Sequence, residues 1–352
     1  MKIRVALATF SVLLFTGGSA WAATFSSLYT FGDSLSDIGD SPSAATSIYK
    51  LLGDNCDPSH PCGPYFHGRL SNGPVATEYL AGSLFPGGVN STNFRSYSVG
   101  GATSGVGNIG DGGSATEPGG FNIPGINLKP LPGMQQEVER YMSDSGGVAD
   151  PNALYVVWGG SDDYLTHNSP VGAAQNIGSY VSTLAAAGAR NFLVPNSGDL
   201  GHTPEARSND DVAQAQAYSI VFNNELATQL GSVHSNFPAA DIRQFDTYSF
   251  LNNIIQDPAA FGFTNVTNAC VSLLILSCDN PETHLYWDSV HPTTLAHSLL
   301  GAAFATTVTS AVPEPEIFSM LVAGLFLLGI GGYKRWGRVE PASGVFHRES
   351  AA

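Results

Sequence analysis

Charged residues are scarce in this 352-residue chain. Asp, Glu, Lys and Arg together make up 12% of it, about half the share of an average soluble domain. Basic residues are the scarcest, with 14 Lys and Arg against 29 Asp and Glu, for a formal charge of −15. Lys2, Arg4, Lys334, Arg335, Arg338 and Arg348 lie near the two ends, so the body between is more acidic still. A surface of that sign repels phosphate backbones, which argues against nucleic acid as a partner. Cysteine is limited to Cys56, Cys62, Cys270 and Cys278. Neither close pair has the spacing of a zinc knuckle, and no paired histidines follow at ligand distance. There is no repeat of fixed period. No G-x-S-x-G elbow is present, which disfavours the α/β-hydrolase fold. No lysine follows a glycine, so there is no Walker A loop, and no H-E-x-x-H occurs. Gly105-Val106-Gly107-Asn108-Ile109-Gly110 spells G-x-G-x-x-G, but Asp111-Gly112-Gly113 follows and cannot open a helix, against a dinucleotide site. Nothing calls for a metal or a cofactor.

Long apolar runs are confined to the ends. Residues 1–22 read as a secretory signal: Lys2 and Arg4, an apolar stretch over 5–15, and Ala20-Trp21-Ala22 as an A-x-A cleavage site. Export places the four cysteines in an oxidising compartment, where an even count favours disulfides. Close spacing points to Cys56–Cys62 and Cys270–Cys278, although connectivity is not readable from sequence. At the other end, Val312-Pro313-Glu314-Pro315 precedes an apolar stretch over 317–333, followed by Lys334, Arg335 and Arg338. That length is within the range of a spanning helix, and the basic flank orients it with its far end in the cytoplasm. A Pro-Glu-Pro motif, a span and a basic end resemble the PEP-CTERM sorting signal, which implies processing by an exosortase and an association with exopolysaccharide. The chain departs from that pattern by continuing over 339–352. The expected organisation is a signal (1–22), a catalytic body (23–311), a sorting segment (312–338) and a short tail (339–352). The membrane enters only through the sorting segment.

At 43% hydrophobic residues the body is globular. Strand-like runs at 28–31, 94–99, 153–158, 191–195 and 241–245 alternate with helix-like runs at 75–80, 134–142, 173–187, 210–233 and 293–308. Short, nearly continuous apolar strands between helices predict a parallel sheet covered on both faces. With right-handed crossovers this makes a three-layer α/β/α sandwich. Ligands of such sheets bind beyond the carboxyl ends of the strands. The glycine-rich loop over 105–125 is expected to be mobile.

Chemistry-bearing residues fall in those loops. Gly32-Asp33-Ser34-Leu35 follows the first strand and offers Ser34 either as a nucleophile or as a helix cap. In Asp288-Ser289-Val290-His291, an Asp three residues before a His can orient the imidazole through Nδ1 and leave Nε2 to take a serine proton. Ser98-Val99-Gly100-Gly101-Ala102 and Gly160-Ser161-Asp162-Asp163 can add backbone or side-chain donors for an oxyanion.

Together these four segments resemble the GDSL, or SGNH, hydrolase family over almost the whole body. The resemblance implies a flavodoxin-like α/β fold and a serine esterase or lipase. Ser34 would be the nucleophile, His291 the base and Asp288 its partner, with the amides of Ser34 and Gly101 as oxyanion donors. It implies an acyl-ester substrate: a lipid, a short-chain ester or an acetylated exopolysaccharide. At position 162 the family carries an Asn that donates to the oxyanion, and here Asp162 stands there. An ionised carboxylate only accepts hydrogen bonds. Asp162 is therefore protonated, or Ser161 donates in its place, or catalysis is weak. The last account goes with a rival reading, a surface or matrix carbohydrate-binding protein on the hydrolase scaffold.

Overall fold

The computed structural model describes residues 25–40, 65–120, 122–123, 126–127, 129–272 and 278–310. The signal over 1–22, Cys56, Cys62 and the sorting segment lie outside the described residues, all of which fall in the unit Met1–Ser310.

Five strands build the central sheet: β1 (Leu28–Gly32), β2 (Phe94–Ser96), β3 (Leu154–Trp158), β4 (Asn191–Pro195) and β5 (Asp241–Phe245). All pairings are parallel and the order is β2-β1-β3-β4-β5, the doubly wound order of flavodoxin-like folds. Every residue of β3 is buried, as its unbroken apolar run Leu-Tyr-Val-Val-Trp requires of a strand covered on both sides.

The helices are α1 (Ala76–Leu84), α2 (Met134–Asp144), α3 (Asp162–Leu165), α4 (Pro170–Ala187), α5 (Pro204–Ser208), α6 (Val212–Asn236), α7 (Thr247–Gln256) and α8 (Thr294–Thr309). Alternate side chains of the strands feed two cores. Phe31, Tyr155, Val157, Phe192 and Val194 pack against α2, α4 and α6. Leu28, Leu154, Val156, Trp158 and Leu193 pack on the opposite face against α1 and α8. This is the three-layer sandwich expected from the pattern.

The structure differs from the sequence reading in detail. The strand expected over 94–99 ends at Ser96; Val99 N–H still reaches the Gly32 carbonyl at 3.1 Å, but it also donates to Glu137 at 3.1 Å as the chain turns off the sheet. The loop expected to be mobile is tied down over 105–120. Gly113 N–H bonds Asn108 O, Gly120 N–H bonds Asp111 O, and the Asp111 carboxylate takes Leu131 N–H at 2.7 Å. The helices α3, α5 and α7, and a short parallel ladder between Asn265–Ala269 and His284–Tyr286, lie outside the expected runs; α7 nonetheless has Tyr248, Leu251, Ile254 and Ile255 at helical spacing. Cys270 and Cys278 are joined in a disulfide with their Cα atoms 5.1 Å apart. Among the described residues no helix is long and apolar enough to cross a membrane.

Glu137, on α2, is 2% exposed and accepts from Gly32 N–H at 2.8 Å as well as from Val99. Gly32 itself is required by the crowding of β1 on β3, since a Cβ there would collide with the Trp158 carbonyl oxygen. Replacing Glu137 by Ala removes the acceptor of the buried Gly32 amide and leaves Val99 N–H only the Gly32 carbonyl, so Glu137→Ala is expected to lower the unfolding free energy by about 1–3 kcal/mol. Urea denaturation would measure it; a loss near zero would show that the Gly32 amide finds another acceptor.

Candidate active site

Ser34 sits where β1 ends, in a turn closed by Ser36 and Asp37 amides donating to the Asp33 carbonyl, both at 3.1 Å. Its Oγ lies 2.8 Å from His291 Nε2. The other ring nitrogen, Nδ1, lies 2.7 and 2.9 Å from the two oxygens of Asp288. A carboxylate can only accept, so Nδ1 carries the proton and Nε2 is left to accept from the Ser34 hydroxyl.

The loop holding Asp288 and His291 is self-bracing. Asp288 Oδ1 takes the amides of Val290 and His291 at 2.9 and 2.8 Å, and Trp287 N–H bonds His291 O at 2.7 Å. Tyr65 Oη donates to Asp288 Oδ2 at 2.8 Å. No local motif announces Tyr65, whose partner lies more than two hundred positions away.

Electrostatics follow from this wiring. Burial raises the Asp288 pKa, but the His291 charge and hydrogen bonds outweigh it and hold the carboxyl below its usual range. Burial lowers the His291 pKa, and Asp288, with help from Asp33 and Glu205, outweighs that and holds the imidazole above its ordinary value. A second histidine, His297, has a structural part. Its Nδ1 accepts Ala76 N–H at 3.2 Å at the start of α1, and burial, with the nearby His291 charge, brings its pKa down to about 3.

Two carboxylates sort the backbone donors at the sheet end. Val99 N–H goes to Glu137, and Gly100 N–H goes to Asp37 at 2.7 Å. Ala102 N–H goes to Val99 O. Among the described residues, neither Ser34 N–H nor Gly101 N–H has an acceptor within the protein. Gly101 adopts φ +83°, and a Cβ there would lie 2.5 Å from Asn108 Oδ1, so glycine is needed to present this amide. Asp163 anchors the following segment by accepting from Ser104 N–H at 2.7 Å and Ser104 Oγ at 2.8 Å. Burial pushes its pKa up to about 6 despite those bonds.

Ser34, His291, Asp33, Ser161 and Asp162 open onto one cavity of about 310 Å³. Trp158, Leu251, Tyr286 and Leu300 give it an apolar wall, Asp199, Glu205 and Asp211 give it an acidic side, and no Lys or Arg lines it among the described residues. Cys270, Cys278 and His284 are grouped closely enough to hold a metal ion, but the two sulfurs are bonded to each other.

A nucleophile in reach of an oriented base, beside two unused amides, is what acyl transfer requires. The profile of the GDSL-like Lipase/Acylhydrolase family matches residues 28–304. The chain belongs to that family. This GDSL hydrolase is 26% identical over 338 residues to a phosphatidylcholine-sterol acyltransferase of Aeromonas hydrophila, covering 81% of this chain and 91% of that one. It is 26% identical over 330 residues to acetylajmalan esterase 2 of Rauvolfia serpentina, covering 78% and 87%. Among solved structures it resembles a member of the lipolytic G-D-S-L family from Veillonella parvula, with a TM-score of 0.41 and 14% identity over 81% of this chain and 99% of that one.

The wiring of His291 predicts its titration. In the intact GDSL hydrolase the ring should lose its proton above the ~6.5 of a free imidazole. In Asp288→Asn the largest opposing influence is gone and burial pulls the pKa down. Ring signals followed by NMR across a pH series would check this, and an unchanged midpoint in the variant would contradict it.

Proposed function

We propose that this GDSL hydrolase is an exported serine esterase. Ser34 Oγ attacks the carbonyl carbon of an acyl ester while His291 Nε2 takes its proton. The oxyanion is received by the amides of Ser34 and Gly101. His291 then returns the proton to the leaving alcohol, and water repeats the sequence to release the acid and free Ser34. Asp288 keeps His291 in the tautomer that accepts at Nε2. The observation that carries the reading is the chain of hydrogen bonds from Ser34 through His291 to Asp288 at one cavity.

The apolar wall suits an acyl group, and an acidic side with no Lys or Arg among the described residues suits neutral esters over anionic ones. Lipids, short-chain esters and O-acetyl groups of exopolysaccharide are the substrate classes that fit. Export is supported by the A-x-A signal over 1–22 and by the Cys270–Cys278 disulfide, which belongs to an oxidising compartment. The Pro-Glu-Pro segment and its apolar, basic-flanked follower support handling by an exosortase, with the C-terminal segment as the membrane contact. The rival reading, a carbohydrate-binding protein without chemistry, draws on Asp162; the Ser34–His291–Asp288 hydrogen bonds count against it.

Hydrolysis of p-nitrophenyl acetate and butyrate by the chain and by Ser34→Ala tests the reaction. The substitution is expected to reduce turnover by at least ~10⁴. Equal rates in the two proteins would refute the esterase.

A further inference from the structure

Asp162 opens α3 just beyond β3 and is 8% exposed. It lines the cavity shared by Ser34 and His291, and its Oδ2 is buried with no hydrogen-bond partner among the described residues. Buried polar atoms are nearly always paired, so an unpaired carboxyl at a reaction cavity requires an account. Its surroundings are acidic from every side. Asp33 faces it from the turn after β1, Asp163 from its own helix and Glu205 from α5, with the Tyr218 hydroxyl of α6 beside them. The cavity offers the imidazoles of His167 and His291 and, among the described residues, no Lys or Arg.

An ionised Asp162 would be a desolvated charge among like charges. Burial first, then Asp33, Asp163 and Glu205, push its pKa well above the usual carboxylate range. The neutral acid carries an O–H, which makes it a donor in place of an acceptor.

We propose that Asp162 takes part in the reaction as a neutral carboxylic acid, donating its O–H to the oxyanion formed when Ser34 attacks. This rests on the esterase reading above. In the step, the Ser34 Oγ–C bond forms, the carbonyl π pair moves onto oxygen and the Ser34 proton passes to His291. The Asp162 proton stays on Asp162 throughout as a third hydrogen bond beside the amides of Ser34 and Gly101. When the intermediate collapses, the π bond reforms, the C–O bond to the alcohol breaks and His291 protonates the departing oxygen. The step needs a neutral His291 and a protonated Asp162 together, so turnover is expected to decline as pH rises past the point where Asp162 ionises.

Two measurements on the full chain test this. The first compares infrared spectra of the wild type and Asp162→Asn at mildly alkaline pH, where Asp33 and Asp163, both pushed up only to about 6, are ionised. Glu137, whose pKa burial also holds well above the carboxylate range, contributes to both proteins alike. A protonated-carboxyl band stronger in the wild type than in the variant is expected; identical spectra in that region would overturn the proposal without reference to turnover. The second follows kcat against pH for p-nitrophenyl butyrate. Asp162→Ala should lose about 10²–10³-fold, the effect of removing one oxyanion donor. Asp162→Asn keeps a donor without a proton to lose, so it should retain most of that rate and lose the alkaline decline. A wild-type rate in Asp162→Ala, or an unchanged alkaline decline in Asp162→Asn, would overturn the proposal. Equal rates in the wild type and Ser34→Ala would instead remove the esterase itself, and the oxyanion with it.

Discussion

The Glu137 carboxylate lies under the carboxyl ends of the central strands and accepts from Gly32 and Val99, the last strand residue before the nucleophile loop and the residue just before Gly100-Gly101. Asp37 does the same for Gly39 and Gly100. Both carboxylates are almost wholly buried, and both work by using up backbone donors. Among the described residues, the amides of Ser34 and Gly101 are left without acceptors. On the proposed reading, the oxyanion donors are thus a remainder left by scaffolding, held in place by bonds that their neighbours make. Such preorganisation matters because donors that need no rearrangement stabilise developing charge most effectively.

Carboxyl groups carry two opposite duties within a short distance. Asp288 is surrounded by donors from Tyr65, Val290 and His291, and its charge is favoured. Asp33 has one amide bond at Oδ1 and a buried Oδ2 without a partner, and burial pushes its pKa up to about 6 against the pull of Leu35 N–H and His291. Asp162 has neither donor nor cation. Burial pushes all of these carboxyls up, and the charge and hydrogen bonds of His291 are what outweigh it at Asp288.

The legible parts of the sequence were those whose signal is local. A strand buried on both faces reads as an apolar run, so β1, β3 and β4 fall close to their expected bounds; β5, Asp-Ile-Arg-Gln-Phe with no residue fully buried, also matches its expected bounds without that signal. Ser34 follows such a strand, and Asp288 and His291 share one turn, so their chemistry could be read over a few residues. The helix α7 carries a local signal that the expected runs pass over: an Asp246 cap and then Tyr248, Leu251, Ile254 and Ile255 at helical spacing, in a stretch of ten residues directly after β5. Tyr65 and Glu137 were missed for a different reason. Their partners are distant in sequence, and nothing in a tyrosine or in a glutamate of a helix's first turn reveals which amide or carboxylate the fold will bring to it. The glycine-rich loop misled in the other direction: its composition suggested freedom, whereas Asn108 and Asp111 use its many amides to pin it.

The hydrogen bond from Ser34 to His291 joins positions 257 residues apart. Ser34 follows the first strand of the sheet, whereas His291 stands on the loop that leads into α8. Until α8 docks against α1 and Trp158, the Ser34 hydroxyl has no imidazole held beside it. Pairing of the two is thereby coupled to closure of the outermost layer. A chain interrupted before residue 291 keeps the segments of all five sheet strands and loses this hydrogen bond, so on the proposed reading its serine is chemically silent.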